Sequence, residues 1–97
     1  MLYLLRSYTK DGSTLKVGYA KNLENRFANY KSHNPGIELI TSREGDLELE
    51  TKLHLYFNFL GYNEYFEEWY YEKYYNRVYE VFMKSEEEET YIWFSLT

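Results

Sequence analysis

The chain has no cysteine, a single proline and only five glycines in its 97 residues. Without thiols, disulfide bonds, thiolate zinc sites and cysteine nucleophiles are all excluded. No apolar run approaches the roughly 20 residues that a membrane helix needs. The N-terminus also lacks the block pattern of a secretion signal, so no membrane partner is expected and the expected compartment is the cytoplasm. Internal repeats and low-complexity linkers are missing, which points to one small domain. Aromatic residues, by contrast, make up 22% of the chain, with 13 Tyr, 6 Phe and 2 Trp. A chain this short buries a thin core, and dense aromatic packing or a partner must supply the remaining stability. With 44% hydrophobic and 28% charged residues, it has the composition of a folded protein and not of a disordered tail.

The net charge of −5 argues against a polyanionic partner until the chain is divided. Residues 1–44 hold seven bases (Arg6, Lys10, Lys16, Lys21, Arg26, Lys31 and Arg43) against four acids, a balance of +3. Residues 45–97 hold four bases against twelve acids, a balance of −8. A bipolar molecule whose first half meets an anion is one reading, and a solvated acidic surface on the second half is the other.

Hydrophobic periodicity predicts a small α/β (α+β) domain with a three-stranded, largely antiparallel sheet flanked by helices. Strands are expected at 2–8 and 14–19, joined by a somewhat long hairpin loop around Asp11-Gly12-Ser13. Asn22 is a helix cap, and Leu23, Arg26, Phe27 and Tyr30 repeat at helical spacing until Asn34-Pro35-Gly36 stops the helix. A third strand is expected at 37–41. A second helix then opens near Gly45-Asp46, carries Leu49, Leu53, Tyr56 and Phe57 as one apolar stripe, and ends near Gly61. A third helix is expected from about Glu68 to Lys84, with Tyr71, Tyr75, Val78 and Phe82 on its buried side. The acidic run Glu86–Glu89 should be solvated, and Tyr91-Ile92-Trp93-Phe94 is short, apolar and β-prone.

Two strands, a glycine, a helix bearing Arg and a later helix bearing Glu together resemble the GIY-YIG nuclease family, in its phage-type branch. Leu2-Tyr3-Leu4 stands where that family has its first tripeptide, with Tyr3 as its tyrosine, and Lys16-Val17-Gly18 stands where the second falls. Val17-Gly18-Tyr19-Ala20-Lys21-Asn22 leading to Arg26 and Tyr30 is similar to the family's glycine turn, catalytic arginine and following aromatic. Leu49-Glu50 with Leu53-His54 and Phe57 is similar to its metal-binding helix. Glu68-Trp69-Tyr70 and Glu64-Tyr65-Phe66 compete for its Glu-aromatic element, and Asn63 and Asn76 for its late Asn. The resemblance implies a nuclease domain over residues 1–84, followed by an acidic and apolar segment at 85–97. It implies divalent-metal-dependent hydrolysis of DNA, with Mg²⁺ or Mn²⁺ as cofactor. Tyr3, Lys16, Tyr19, Arg26, Tyr30 and His54 would form the catalytic set, Gly18, Lys21 and Lys31 would bind substrate, and Glu50 would hold the metal. Lys16 replaces the tyrosine of the second tripeptide, so its amine or the Tyr19 hydroxyl must do that residue's work.

The residue chemistry supports the same assignments separately. Phosphodiester hydrolysis needs a metal to polarise phosphate, a cation for developing charge and a base for water. Glu50 is a natural oxygen ligand for Mg²⁺, which takes few protein groups and keeps several waters. Arg26 supplies a planar fork for phosphate oxygens, one turn from Tyr30. Tyr3 offers a hydroxyl able to orient or deprotonate water, and Gly18 allows close approach of the strand end. Glu48 is the fallback ligand, but it lies about 200° from Glu50 around a helix, so only one of them faces a given site. Each residue also has a purely structural reading. Tyr3 and Tyr19 could be ordinary strand aromatics, Arg26 a surface residue, His54 a hydrogen-bonded structural His, and the tyrosines at 70, 71, 74 and 75 core. Tyr3, Lys16, Tyr19, Arg26 and Glu50 are expected on one face. With only a +3 half to meet phosphates, tight DNA binding would need an additional DNA-binding domain, a dimer or a partner protein.

Overall fold

The computed structural model describes residues 1–63 and 69–84. Two long strands, β1 (Leu2–Thr9) and β2 (Gly12–Tyr19), form the opening hairpin. Helix α1 (Leu23–His33), β3 (Ile37–Arg43), α2 (Leu47–Phe59), β4 (Trp69–Tyr71), a 3-10 turn (Glu72–Tyr74) and α3 (Tyr75–Lys84) follow. The sheet order is β3-β1-β2-β4, and every neighbouring pair is antiparallel. The α+β class is as expected, but the sheet has four strands and not three. The extra strand is the Trp69–Tyr71 segment, where a helix was expected from Glu68. Pairing of Thr14, Leu15 and Lys16 with Tyr71, Tyr70 and Trp69 holds these residues extended, so α3 starts only at Tyr75. Tyr71 accordingly lies exposed on the strand and not on a buried helix face.

The hairpin loop is shorter than expected. Thr9 pairs with Gly12, leaving Lys10 and Asp11 as a two-residue turn. Gly12 takes a φ of 134°, a region that L side chains rarely adopt. Sequence between the two tripeptides is therefore strand, not loop.

Strand alternation divides the interior in two. Leu2, Leu4, Leu15 and Val17 face α2 and α3, packing with Leu49, Leu53, Tyr56, Phe57, Val78, Val81 and Phe82. The stripe Leu49, Leu53, Tyr56 and Phe57 is buried as its periodicity requires. Asp46 caps α2 by accepting the Leu49 amide at 2.9 Å, and Gly61 (φ 74°) lets the chain reverse after it.

On the opposite face Tyr3, Leu5, Ala20 and Ile37 form a smaller core against Leu23, Phe27 and Tyr30 of α1. Asn22 caps this helix, its Oδ1 accepting the Asn25 amide at 3.0 Å. No residue of α1 is fully buried, so its outer face, with Arg26, looks onto solvent. The apolar, β-prone segment at 91–94 and the acidic run at 86–89 lie outside the described residues.

Candidate functional site

The site starts from a glycine. Gly18 pairs with Tyr3 across the hairpin, and both are buried. A Cβ on Gly18 would sit 2.8 Å from Tyr3 Cε2 and closer still to Cζ and the hydroxyl. The phenol of Tyr3 therefore lies over the Gly18 backbone, which carries its hydroxyl across β2. Only glycine leaves that path open.

Three further side chains meet there from different elements. Tyr30, on α1, brings its Oη to 3.0 Å from the Tyr3 Oη, with the rings edge to face at 6.2 Å. Lys16, two residues before Gly18 and on the same face of β2, donates from Nζ to the Tyr30 Oη at 3.0 Å. Its ammonium also lies 4.9 Å from the centre of the Tyr30 ring and 5.3 Å from that of Trp69. Such cation–aromatic contacts help to hold the side chain in place. Arg26 stands one turn before Tyr30 on the exposed side of α1.

These contacts divide the two tyrosines electrostatically. Burial, then the hydrogen bond to Tyr30 and the Tyr30 charge, push the Tyr3 hydroxyl well above the ordinary tyrosine range. Arg26 opposes this shift, and Glu50 adds to it. Burial also acts to raise Tyr30, but the hydrogen bond from Lys16, that from Tyr3, the Lys16 charge and Arg26 together outweigh it. The Tyr30 hydroxyl ends below its usual value. The hydrogen bond to Tyr30, then the charges of Tyr3 and Tyr30, raise Arg26 further above its usual value.

Glu50 comes from α2, on the other side of the sheet, and acts on Tyr3 through its charge. Its Oε1 lies 3.4 Å from His54 Nε2, one turn along the helix. His54 Nδ1 in turn meets the hydroxyl of Tyr70, whose ring is stacked on the imidazole. Glu48 points elsewhere: it pairs with Lys52 at 3.5 Å and is 62% exposed, against 19% for Glu50. Of the two carboxylates, Glu50 is the partly buried one, held beside His54, and Glu48 the exposed one.

Two expected members are placed elsewhere. Tyr19 packs on the α2–α3 core, because residues 17 and 19 face away from residues 16 and 18. The expected convergence of Tyr19 with Tyr3 on one face is thus overturned by the two-residue period of the strand. Lys31 is taken up at the far end of α1, where Nζ donates to the Ile37 carbonyl at 3.2 Å and lies near the Phe27 ring. Lys21 is exposed in the turn before α1, close in sequence to the site. Asn63 bridges Tyr70 through the backbone, whereas Asn76 is exposed on α3. Glu64–Glu68 lie outside the described residues. Trp69, against Lys16, and Tyr70, against His54, are site neighbours that the hydrophobic pattern did not single out. Their only signal was the Glu-Trp-aromatic element of the resemblance.

Among the described residues, no three His, Asp or Glu side chains come together as a ready-made metal cage. What the geometry offers is the Tyr30 hydroxyl between the Lys16 ammonium and the Tyr3 hydroxyl, with the exposed Arg26 guanidinium one turn away on α1. Such a set fits an anionic oxygen ligand such as a phosphate. The chain belongs to the T5orf172 domain family, whose model matches residues 1–87. This is a phage-associated domain found in some nuclease-like proteins. Comparison with curated proteins and with solved structures returned no match. No helix among the described residues is long and apolar enough to cross a membrane.

Proposed function

We propose that the chain is a divalent-metal-dependent endonuclease of GIY-YIG type that hydrolyses DNA phosphodiester bonds in the cytoplasm. The observation that carries this reading is the meeting of Tyr3, Lys16 and Tyr30 at one point, with Arg26 one turn from Tyr30 on α1 and the Glu50 charge acting on Tyr3. Arg26, exposed and charged, would take the phosphate oxygens in its planar fork. Lys16 would add a second, fixed positive charge to the developing negative charge of the transition state. Tyr3 and Tyr30 would hold the attacking water by hydrogen bonds.

Glu50 would hold Mg²⁺ or Mn²⁺. One carboxylate, completed by waters and substrate phosphate, suits an ion that dehydrates reluctantly. When bound, the ion would polarise the phosphate. The chain's own residues would position the phosphate and the water against each other. His54, anchored by Tyr70, would fix the Glu50 side chain as a positioning residue. Lys21 and the backbone at Gly18 would border the substrate. Lys31 and Tyr19 have no part in this proposal.

A catalytically silent module that binds DNA or protein is the second reading. Lys16 favours it: its amine stands where the resemblance has a tyrosine and is already engaged by Tyr30.

The test is nicking of supercoiled plasmid, with Mg²⁺ and with a chelator, by the wild type and by Arg26→Ala. The proposal expects metal-dependent nicking that falls by about 100-fold or more in the variant. DNA binding without nicking would select the silent module.

A further inference from the structure

We propose that the Tyr30 hydroxyl, and not that of Tyr3, is the proton acceptor for the attacking water, held as a phenolate by Lys16, Arg26 and Tyr3. This inference rests on the nuclease reading and assigns one step within it. Its ground is geometric. The Tyr30 oxygen receives the Lys16 ammonium at 3.0 Å and has the Tyr3 hydroxyl at 3.0 Å. The Lys16 contact can only donate to Tyr30, since an ammonium has no lone pair. Tyr3, lying over Gly18 in the buried interior, is the natural donor of the remaining tyrosine–tyrosine bond.

The charged groups facing Tyr30 come from every element around it. Lys16 stands on β2 and Arg26 on α1 itself, while Glu50 on α2 acts on Tyr3. Trp69 on β4 keeps the Lys16 ammonium in place. Two cations and one donor favour the anion, and the directions of the Tyr30 and Tyr3 shifts agree with this division. Tyr3 is better described as a positioning residue. It stays protonated and spends its hydrogen on Tyr30.

Arg26 is the exposed member of the cluster and can turn to a phosphate. Lys16 and Tyr3 occupy two of the three lone pairs of the phenolate oxygen, which leaves one acceptor position for water. In the step proposed, the water gives one proton to Tyr30 Oη as its oxygen forms the new bond to phosphorus. The bond from phosphorus to the leaving sugar oxygen breaks with its electron pair on that oxygen, which takes a proton from solvent. Tyr30 then returns its proton to solvent, so one water is consumed per diester and no redox partner is involved.

The experiment is a pH titration of tyrosinate absorbance on the full chain, alongside the pH–rate profile of plasmid nicking. The wild type should show one tyrosine ionising below the other twelve. Tyr30→Phe should abolish that step, Lys16→Met should move it to higher pH, and Tyr3→Phe should leave a step assignable to Tyr30. The nicking rate of the wild type should rise with pH through the same ionisation, and the acid limb should move upward in Lys16→Met. An early ionisation that survives Tyr30→Phe, or its loss in Tyr3→Phe alone, would overturn the assignment. Nicking by the wild type with no early tyrosine step would overturn it while leaving the nuclease reading intact. An early step in a chain that cuts no DNA would overturn the nuclease reading, and the proton transfer with it. Should Tyr30→Phe fail to fold, isotope-labelled tyrosine ring-carbon spectra of the wild type and Lys16→Met decide the same question.

Discussion

Replacing Gly18 by Ala separates a site built on close approach from an ordinary hairpin. Glycine inside a strand usually weakens it, and Gly→Ala at an unstrained position stabilises by about 0.4–1 kcal/mol. Gly18 has no positive φ to excuse it, so on backbone grounds alone Ala should help. The structure reverses the sign. The new methyl would fall 2.8 Å from Tyr3 Cε2 and nearer to Cζ and Oη, and this ring is 2% exposed with core on its other side. Overpacking of this kind costs about 1–3 kcal/mol. For a domain of this size each kcal/mol lowers the melting temperature by roughly 4–8 °C. Urea unfolding followed by far-ultraviolet circular dichroism would measure it. The cycle closes with Tyr3→Leu, in whose background Gly18→Ala should be close to neutral, giving a coupling of about 1–3 kcal/mol. A Gly18→Ala protein as stable as the wild type, or the same loss in the Tyr3→Leu background, would refute the placement of the tyrosine.

Arg26→Ala should leave stability within about 1 kcal/mol, because the side chain is exposed and α1 has no fully buried residue; thermal denaturation checks this beside the nicking assay. Tyr3 is held neutral in the fold, so its contribution to stability is complete below about pH 10, the ordinary tyrosine value, and is lost as alkali ionises the unfolded chain first. Urea midpoints should therefore fall above that pH, and less steeply in Tyr3→Phe; equal slopes would contradict the shift. Duplex DNA binding by the chain alone should be weak and steeply salt-dependent, since few phosphates can meet the +3 half. Tight binding at physiological salt with a shallow slope would contradict it.

Much of this arrangement was legible in the sequence where local signals are strong. Asn22 and Asp46 cap the two helices expected of them, and the α2 stripe is the one its spacing prescribes. Arg26 and Tyr30 on α1, and Glu50 and His54 on α2, lie in the helices that the spacing predicts for them. The aromatic segment around residue 70 was not legible, because Trp, Tyr and Tyr satisfy helix and strand patterns alike. Pairing with β2, a long-range contact, decides it. Tyr19 is a different kind of miss. Alternation along residues 16–19 separates it from Lys16 and Gly18, and only its place in the family pattern groups it with Tyr3. The Glu50–His54–Tyr70 chain depends on a helix from one face meeting a strand from the other end of the sequence, which no local pattern encodes.

The most direct measurement of the central claim is metal-dependent nicking by Glu50→Gln and Glu48→Gln beside the wild type. Both substitutions keep size and remove one negative charge. Only Glu50 stands beside His54 and acts on the tyrosine cluster, while Glu48 pairs with Lys52 in solvent. Glu50→Gln should abolish Mg²⁺-dependent nicking, and Glu48→Gln should retain most of it. Nicking that survives Glu50→Gln and disappears in Glu48→Gln would contradict the account.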